Sequence, residues 1–301
     1  MSSFKNVIVV GAGGNVGAVL LDTLLNESSF KITVLSRQGS QSTFPSGVQV
    51  IHADYDSQDS LKKAFEGQDV VVSLVASAVL KDQSKLIDAA IAAGVQRFIP
   101  SEFGSDTVDP RNRALVSISN VKYDITKYLK SNESKISWTS IITGPFFDWC
   151  LRVGFHGFDL KNKTATLYDN GTTRFSTTNL HTVALAVVKS LEKPELTKNQ
   201  YVYVAGFQTS QKEILAIAEK VTDTKWTVKD VPSKDLVESG NAKIQQGDYS
   251  GILTLLIATT FGSDEVGYID PGKTWNEKLG LPKEDLESAI RAVFSGKLAH
   301  E

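Results

Sequence analysis

Runs of apolar residues alternate with amphipathic stretches along the first half of the chain. The apolar runs are NVIVV, KITVLSR, VQVIHADY, DVVVSLV, RFIPSEF and WTSIITG. The segments between them, near 15–26, 57–66, 82–94 and 119–131, have the spacing of helices. Continuous apolar strands separated by such helices are typical of a parallel sheet covered on both faces. The pattern therefore predicts an α/β fold with a Rossmann-type doubly wound parallel sheet.

The second half of the chain has a different pattern. The stretch GPFFDWCLRVGFHGFDL is rich in aromatic residues and glycine, which favours a pocket wall or a loop. A helix near 179–193, the strand YVYVAG and a helix near 210–220 follow. We therefore predict a Rossmann domain over 1–144 and a smaller, mainly substrate-binding lobe over 145–301. Residues of about 179–206 are predicted to return to the Rossmann core.

Composition narrows the class of protein. The 301 residues carry a formal net charge of −2, which gives no indication of a nucleic-acid partner or an anionic membrane surface. Cys150 is the only cysteine, so an internal disulfide is excluded. His52, His156, His181 and His300 show no ligand spacing, so no metal site is expected. Without a signal-peptide core or an apolar run of roughly 18 residues, we expect a cytoplasmic protein.

The segment VVGAGGNVGAVL joins the first predicted strand to the first predicted helix. Gly11, Gly14 and Gly17 follow the spacing G-x-x-G-x-x-G rather than G-x-G-x-x-G. Gly11 would form the turn, Gly14 would let a phosphate approach, and Gly17 would let the helix lie against the sheet. A glycine-rich turn without a ligand is the alternative. The residues expected to contact a dinucleotide here are Gly11, Gly13, Gly14, Asn15, Val16 and Gly17.

The end of the second strand indicates which dinucleotide is bound. NAD-binding proteins usually carry an acidic residue there, which holds the ribose 2′-hydroxyl. This chain has Ser36 and Arg37 instead. Arg37 can pair with a 2′-phosphate, so NADP(H) is the predicted cofactor. A solvated surface arginine is the alternative.

The third and fourth strands end in further cofactor candidates. Asp54, in ADYDS, is predicted either to lie near the adenine or to belong to a helix N-cap cluster. Its neighbour Tyr55 is included in the same predicted region. Ser73 and Val75, at the end of the fourth strand, are predicted to line the nicotinamide ribose.

The helix SNVKYDITKYLKS contains the candidate acid–base residues. Its predicted buried stripe consists of Val121, Ile125, Tyr128 and Leu129. Tyr123 and Lys127 form Y-x-x-x-K, in which a lysine lowers the pKa of a tyrosine acid. Lys122 is the rival acid, because a lysine in an apolar cleft has a lowered pKa. A solvated helix face is the alternative for all three.

GAGGNVG, ADYDS, QRFIPSEFG and the downstream lysine together resemble the isoflavone reductase-like group of atypical short-chain dehydrogenases. That group includes phenylcoumaran benzylic ether reductases and NmrA-like proteins, and GPFFDW is similar to fungal NmrA-like members. The resemblance implies that Lys122 is the acid–base residue. It also implies that Gln83, Glu102, Phe103 and Lys122 itself lie in the cofactor region. Thr126 stands where plant members have a basic residue that contacts the cofactor.

The sequence thus predicts an NADPH-dependent reductase acting on a small aromatic or conjugated substrate. Phe103, Phe146, Trp149 and Phe155 are the predicted substrate contacts, although aromatic residues at this density also form cores. A non-enzymatic NADP(H)-responsive regulator that binds a partner protein is the alternative. A non-redox enzyme that retains the cofactor is a third possibility. We expect a monomer or a homodimer with no nucleic-acid or membrane partner.

Overall fold

A computed structural model describes residues 4–298 of the chain, so His300 lies outside the described residues. The strands are β1 (Asn6–Val10), β2 (Lys31–Arg37), β3 (Gln49–Ala53), β4 (Val70–Ser73), β5 (Arg97–Ile99), β6 (Ser137–Ile142), β7 (Phe158–Asp159), β8 (Thr164–Tyr168), β9 (Arg174–Thr177), β10 (Gln200–Tyr203), β11 (Phe207–Ser210) and β12 (Thr227–Val231). The helices are α1 (Asn15–Glu27), α2 (Gln58–Phe65), α3 (Gln83–Ala92), α4 (Pro110–Leu115), α5 (Ser117–Ser131), α6 (Phe147–Arg152), α7 (Leu180–Glu192), α8 (Pro194–Thr197), α9 (Gln211–Thr222), α10 (Ser233–Gln245), α11 (Ser250–Phe261), α12 (Asn276–Leu279) and α13 (Leu286–Phe294).

Seven strands form one sheet in the order β10-β6-β5-β4-β1-β2-β3. Every pairing in it is parallel. The strand order reverses at β1, with β2 and β3 on one side and β4, β5, β6 and β10 on the other. This topology confirms the predicted doubly wound Rossmann-type sheet. Ligands of such sheets bind at the carboxyl ends of the strands on either side of the reversal.

Side chains of β1 alternate between two apolar cores on opposite faces of the sheet. Val7 and Val9 are buried in the core that includes α1 and α7. Ile8 and Val10 are buried with residues of α2, α3 and α5. Because both faces are covered, the strand is apolar at every one of these positions.

The segment from α7 to β10 adds to the main sheet. Helix α7 packs against α1, and β10 pairs with β6 at the edge of the sheet. The carbonyl of Tyr203 at the end of β10 accepts a hydrogen bond from the Trp275 amide at 2.8 Å, which attaches the C-terminal segment to the same edge.

The smaller lobe contains the sheet β12-β8-β7, the pair β11-β9 and a third apolar core. The aromatic segment predicted as a pocket wall or loop contains two regular elements, α6 and β7. Helix α6 forms because Phe147 and Leu151, one turn apart, both reach the third core. Within residues 4–298, no helix is long and apolar enough to cross a membrane.

Candidate active site

Two neighbouring cavities lie at the carboxyl ends of the central strands. The first has a volume of about 570 Å³ and extends over the ends of β1, β2 and β4. The second has a volume of about 310 Å³ and lies beside α1 and α5. Leu74, Val75 and Ala76 line both cavities, so the two are parts of one cleft. We name them the first and the second cavity.

The glycine turn between β1 and α1 lines this cleft. Gly11 has φ +85°, and a Cβ there would lie 2.5 Å from the Leu74 carbonyl oxygen. A Cβ at Gly17 would lie 2.3 Å from the carbonyl oxygen of Gly11. The backbone itself therefore requires glycine at both positions. Gly13 and Gly14 are exposed and line the first cavity.

Helix α1 begins in this turn with its amides uncapped. Gly14 is the N-cap, no side chain caps the helix, and the first turn carries no acidic residue. Asn15, Val16 and Gly17 line the second cavity. The N-terminus of a helix attracts an anion through its free amides and its dipole. The turn therefore fits a dinucleotide pyrophosphate.

The far end of the first cavity combines a cation with several hydroxyl groups. Ser36 and Arg37 line it, and Arg37 is exposed. Ser40 and Ser42 also line it, with their hydroxyl oxygens 3.2 Å apart. The sequence analysis did not predict these two serines as cofactor contacts, although the serine-rich stretch SRQGSQS was a signal for them. An arginine among hydroxyl groups suits a phosphate monoester.

The residues after β3 divide between the cavity and the turn before α2. Tyr55 lines the first cavity and donates a hydrogen bond to the Leu35 carbonyl at 3.2 Å, and burial raises its pKa to about 12. Asp54 lines neither cavity. Its carboxylate accepts a hydrogen bond from the Asp56 amide at 3.0 Å, and its own amide donates to the Ser60 hydroxyl at 3.0 Å. Asp54 therefore belongs to the turn before the helix, and Asp56 lines the cavity instead.

Two further cofactor candidates support the cleft from outside it. The Ser73 side chain is fully buried and lines neither cavity. Gln83 is buried too, and its side-chain oxygen accepts the Ser101 amide at 2.8 Å. Ser101 in turn donates to the Val75 carbonyl at 3.0 Å. Gln83 thus holds the loop after β5 in place, while Ser101 and Val75 line the second cavity.

Lys122 stands in the wall of the second cavity. It is half-buried on α5, and its amine donates a hydrogen bond to the main-chain carbonyl of Glu102. Gly104 lies beside it, since a Cβ there would be 3.7 Å from the Lys122 amine. Burial lowers the pKa of Lys122, and the nearby Glu102 carboxylate opposes that change. The geometry is that of an amine able to exchange a proton with a molecule in the cavity.

The Glu102 carboxyl is buried next to this amine, with 2% of the residue exposed. It accepts hydrogen bonds from the hydroxyls of Thr107 at 3.0 Å and Thr126 at 3.1 Å. Burial raises the pKa of Glu102 to about 7, against the effects of Lys122 and the two threonines. Thr126 therefore binds Glu102 and lines neither cavity.

The other two acid–base candidates lie away from the cleft. The Arg113 guanidinium lies 4.1 Å from the centre of the Tyr123 ring. Lys127 is exposed, and neither residue lines either cavity. Of the predicted buried stripe, Ile125 and Leu129 are buried, whereas Val121 and Tyr128 are only half-buried. Of the three candidates, only Lys122 reaches the cleft.

The predicted substrate residues also divide into two groups. Phe103, Phe146 and Trp149 line the second cavity beside Lys122. Phe155 packs in the third core instead, with ring-centre distances of 6.0 Å to His156 and 5.9 Å to Phe261. It lies there because it follows α6, which turns its apolar side toward that core. Among residues 4–298, no group of three His, Cys, Asp or Glu side chains is placed to hold a metal ion.

Comparisons with known proteins give one consistent result. The profile of the NmrA-like family matches residues 3–274. The oxidoreductase aprR of Aspergillus flavus is 36% identical over 297 residues, covering 96% of this chain and 99% of that protein. The leucoanthocyanidin reductase of Vitis vinifera in its NADPH complex has a TM-score of 0.79 at 18% identity, covering 97% of this chain and 100% of the other. AtPrR2 with NADP⁺ and (+)-pinoresinol also has a TM-score of 0.79, at 20% identity, with coverages of 97% and 99%.

Proposed function

This chain belongs to the NmrA-like family, as the sequence resemblance indicated, and from that premise we propose that it is an NADPH-dependent reductase. Its substrate is a small aromatic or conjugated molecule, and Lys122 is the general acid. The observation that carries the proposal is the position of the Lys122 amine. It lies in the wall of a cavity that is continuous with the glycine cleft.

The cleft supports the choice of cofactor. The glycine turn and the uncapped start of α1 suit a pyrophosphate. Arg37, with Ser40 and Ser42 near it, suits the 2′-phosphate that distinguishes NADPH from NADH. Solved structures of the same fold that hold NADPH or NADP⁺ agree with this choice.

The chain's own part in the reaction is to orient the reactants and to manage one proton. NADPH supplies a hydride when it is bound. The Lys122 ammonium gives its proton to the substrate atom that gains negative charge as the hydride arrives. Because burial lowers the pKa of Lys122, the ammonium is a stronger acid than an exposed lysine. The Glu102 carbonyl keeps the amine at the cavity wall during this step.

The walls of the second cavity support the substrate class. Phe103, Phe146 and Trp149 provide aromatic surface, and Leu80 and Val16 add aliphatic surface. A volume of about 310 Å³ is at the lower end for ligand pockets, which favours a small molecule. Flat aromatic or conjugated molecules stack well on such walls.

The proposal is tested first by titrating the protein with NADPH, NADP⁺ and NADH. Trp149 lines the second cavity, so quenching of tryptophan fluorescence reports binding there. We expect NADPH to bind at least about tenfold more tightly than NADH, equivalent to about 1.4 kcal/mol. Arg37→Gln should remove that preference, and Arg291→Gln, on the surface of α13, should retain it.

The second stage measures NADPH consumption with a panel of enones, quinones and aryl ethers. Turnover with at least one of these classes supports a reductase. Tighter binding of NADP⁺ than of NADPH, without consumption in the panel, would instead favour a regulator. If none of the three nucleotides binds, the assignment of the glycine cleft is wrong.

A further inference from the structure

Glu102 occupies a position that links the sheet to the candidate acid. It follows β5 directly, in the loop Pro100–Gly104, and it lines the second cavity. The loop is tied to the end of β6, because the Phe103 amide donates to the Ile141 carbonyl at 3.0 Å. The amides of Thr143 and Gly144 donate to the Gly104 carbonyl at 3.1 and 2.9 Å. Glu102 therefore has a fixed backbone.

The backbone after Glu102 adopts a conformation that a non-glycine residue rarely takes. Phe103 has φ +30°, although its side chain is 7% exposed and well packed. Such a conformation is strained and persists only where surrounding contacts fix it. Here it accompanies the hydrogen bond from the Lys122 amine to the Glu102 carbonyl.

The carboxyl group belongs to the same residue whose carbonyl binds the Lys122 amine, and it is buried as well. Thr107 donates a hydrogen bond to one of its oxygens, and Thr126, on α5, donates to the other. Burial raises the pKa of Glu102, the Lys122 ammonium opposes that change, and the Asp106 carboxylate adds to it. On β10, burial raises the pKa of the Tyr201 and Tyr203 hydroxyls, and the Glu102 carboxylate adds to that effect.

We propose that Glu102 is a positioning residue for Lys122: its carbonyl fixes the amine, and its carboxylate keeps that amine protonated. This inference rests on the proposed role of Lys122 as the general acid. A buried amine without an anion nearby loses its proton, because burial disfavours the charged form. The carboxylate opposes that loss. The threonine hydroxyls favour the carboxylate over the protonated acid, so they act on Lys122 through Glu102.

The proposal is tested by measuring the pKa of Lys122 directly in the protein without a substrate. Lysines are acetylated with a trace of acetic anhydride over a range of pH, and the modified peptides are quantified by mass spectrometry. Lys127, exposed on the same helix, is the internal control. Glu102→Gln keeps the carbonyl and the size of the side chain but removes the charge. Glu66→Gln, on the surface at the end of α2, is the matched control.

We expect Glu102→Gln to lower the pKa of Lys122 by about one unit or more, which is the usual effect of removing one close opposite charge. The extent of Lys127 acetylation at each pH should be the same in all variants. A Lys122 pKa within about 0.3 units of the wild-type value would overturn the proposal. Because the labelling needs no turnover, its result is separate from the outcome of the NADPH tests.

Thr126 provides a second, milder pair of variants. Thr126→Val removes one donor to the carboxylate and should lower the pKa of Lys122 in the same direction by a smaller amount. Thr126→Ser restores the hydroxyl and should rescue the value. With an active substrate, the basic limb of the kcat/KM profile should move to lower pH with the Lys122 pKa. Valine and serine variants with equal Lys122 pKa values would contradict the route through Glu102.

Discussion

The two ends of strand β5 both carry buried ionisable groups, but the groups are arranged for different purposes. Arg97 begins the strand and is 2% exposed. Glu102 follows the end of the strand and is equally buried, with Lys122 beside it. Only five positions separate Arg97 from Glu102. Burial alone therefore does not distinguish a structural charge from a chemical one.

The arginine end is closed and uses neutral partners. Within the described residues, its guanidinium donates to the hydroxyls of Ser137, Thr139 and Thr197 at 2.7, 2.8 and 3.3 Å. A fourth bond reaches the Pro194 carbonyl at 2.9 Å. Burial lowers the pKa of Arg97 to about 10, which leaves it charged at neutral pH. It joins β5, β6 and α8 as a structural cation.

The carboxyl end differs in three respects that together indicate chemistry. It opens onto a cavity, it pairs two ionisable groups, and Phe103 holds an uncommon backbone conformation there. Perturbed pKa values in a cleft are typical of catalytic sites, whereas Arg97 has the perturbation without the cleft. The comparison predicts that substitutions at one end change chemistry and those at the other change stability.

The largest expected effect is that of Lys122→Met on turnover. Loss of a general acid typically costs 10²–10⁴ in rate, so we expect kcat to fall by about that factor. The Kd for NADPH should change by less than about threefold. The free energy of unfolding should stay equal or rise, because the variant no longer buries an amine. Stopped-flow assays and urea denaturation give these values. If Tyr123→Phe abolished turnover while Lys122→Met did not, the acid would be misassigned.

The next largest effect is that of Arg97→Met on stability. The variant removes four hydrogen bonds and leaves the Pro194 carbonyl without its partner. We expect the free energy of unfolding to fall by about 3 kcal/mol, measured by urea denaturation. NADPH affinity should be retained in the folded protein. Altered nucleotide affinity with unchanged stability would break the distinction between the two ends of β5.

Much of the fold could be predicted because both faces of the main sheet are covered. Buried parallel strands such as β1 are apolar throughout, and the helices between them keep a helical period, so α1, α5 and α7 begin and end within about two residues of their predicted limits. Helix α6 was not predicted. Its apolar residues contact a lobe core that residues distant in the sequence complete.

Residues that line the candidate cleft could be found from the sequence where one local motif contains them, but not where tertiary packing decides which side chain faces the cleft. Gly11, Gly17 and Arg37 follow from one strand–turn–helix unit and the next strand. Phe155 has the same composition signal as Trp149, but only the folded lobe shows which of the two faces the cavity. The hydrogen bond between Thr126 and Glu102 joins residues 24 positions apart, and no spacing in the sequence indicates it.

The smallest effects are expected in the pH dependence of stability, to which a third buried ionisable group, His156, also contributes. His156 is fully buried among aromatic rings, and burial lowers its pKa to about 3. Its folded-state pKa lies below the unfolded value of 6.5, so its contribution to stability is present above pH 6.5 and is lost as pH falls toward 3. Glu102 has the opposite sign. Its contribution is present below pH 4.5 and is lost as pH rises through about 7.

Between pH 4.5 and 6.5 the two contributions oppose each other, so single variants should separate them. His156→Phe should become increasingly stable relative to wild type as pH falls, and Glu102→Gln should become so as pH rises. The stability difference between each of these variants and the wild type changes by at most about 1.4 kcal/mol per pH unit, because one proton is involved. Arg97→Met should lower stability by the same amount across this range, because Arg97 stays charged well above it. Urea denaturation at several pH values measures all three differences. A pH-dependent difference for Arg97→Met, or a flat one for Glu102→Gln, would show that the two ends of β5 are not separated as described.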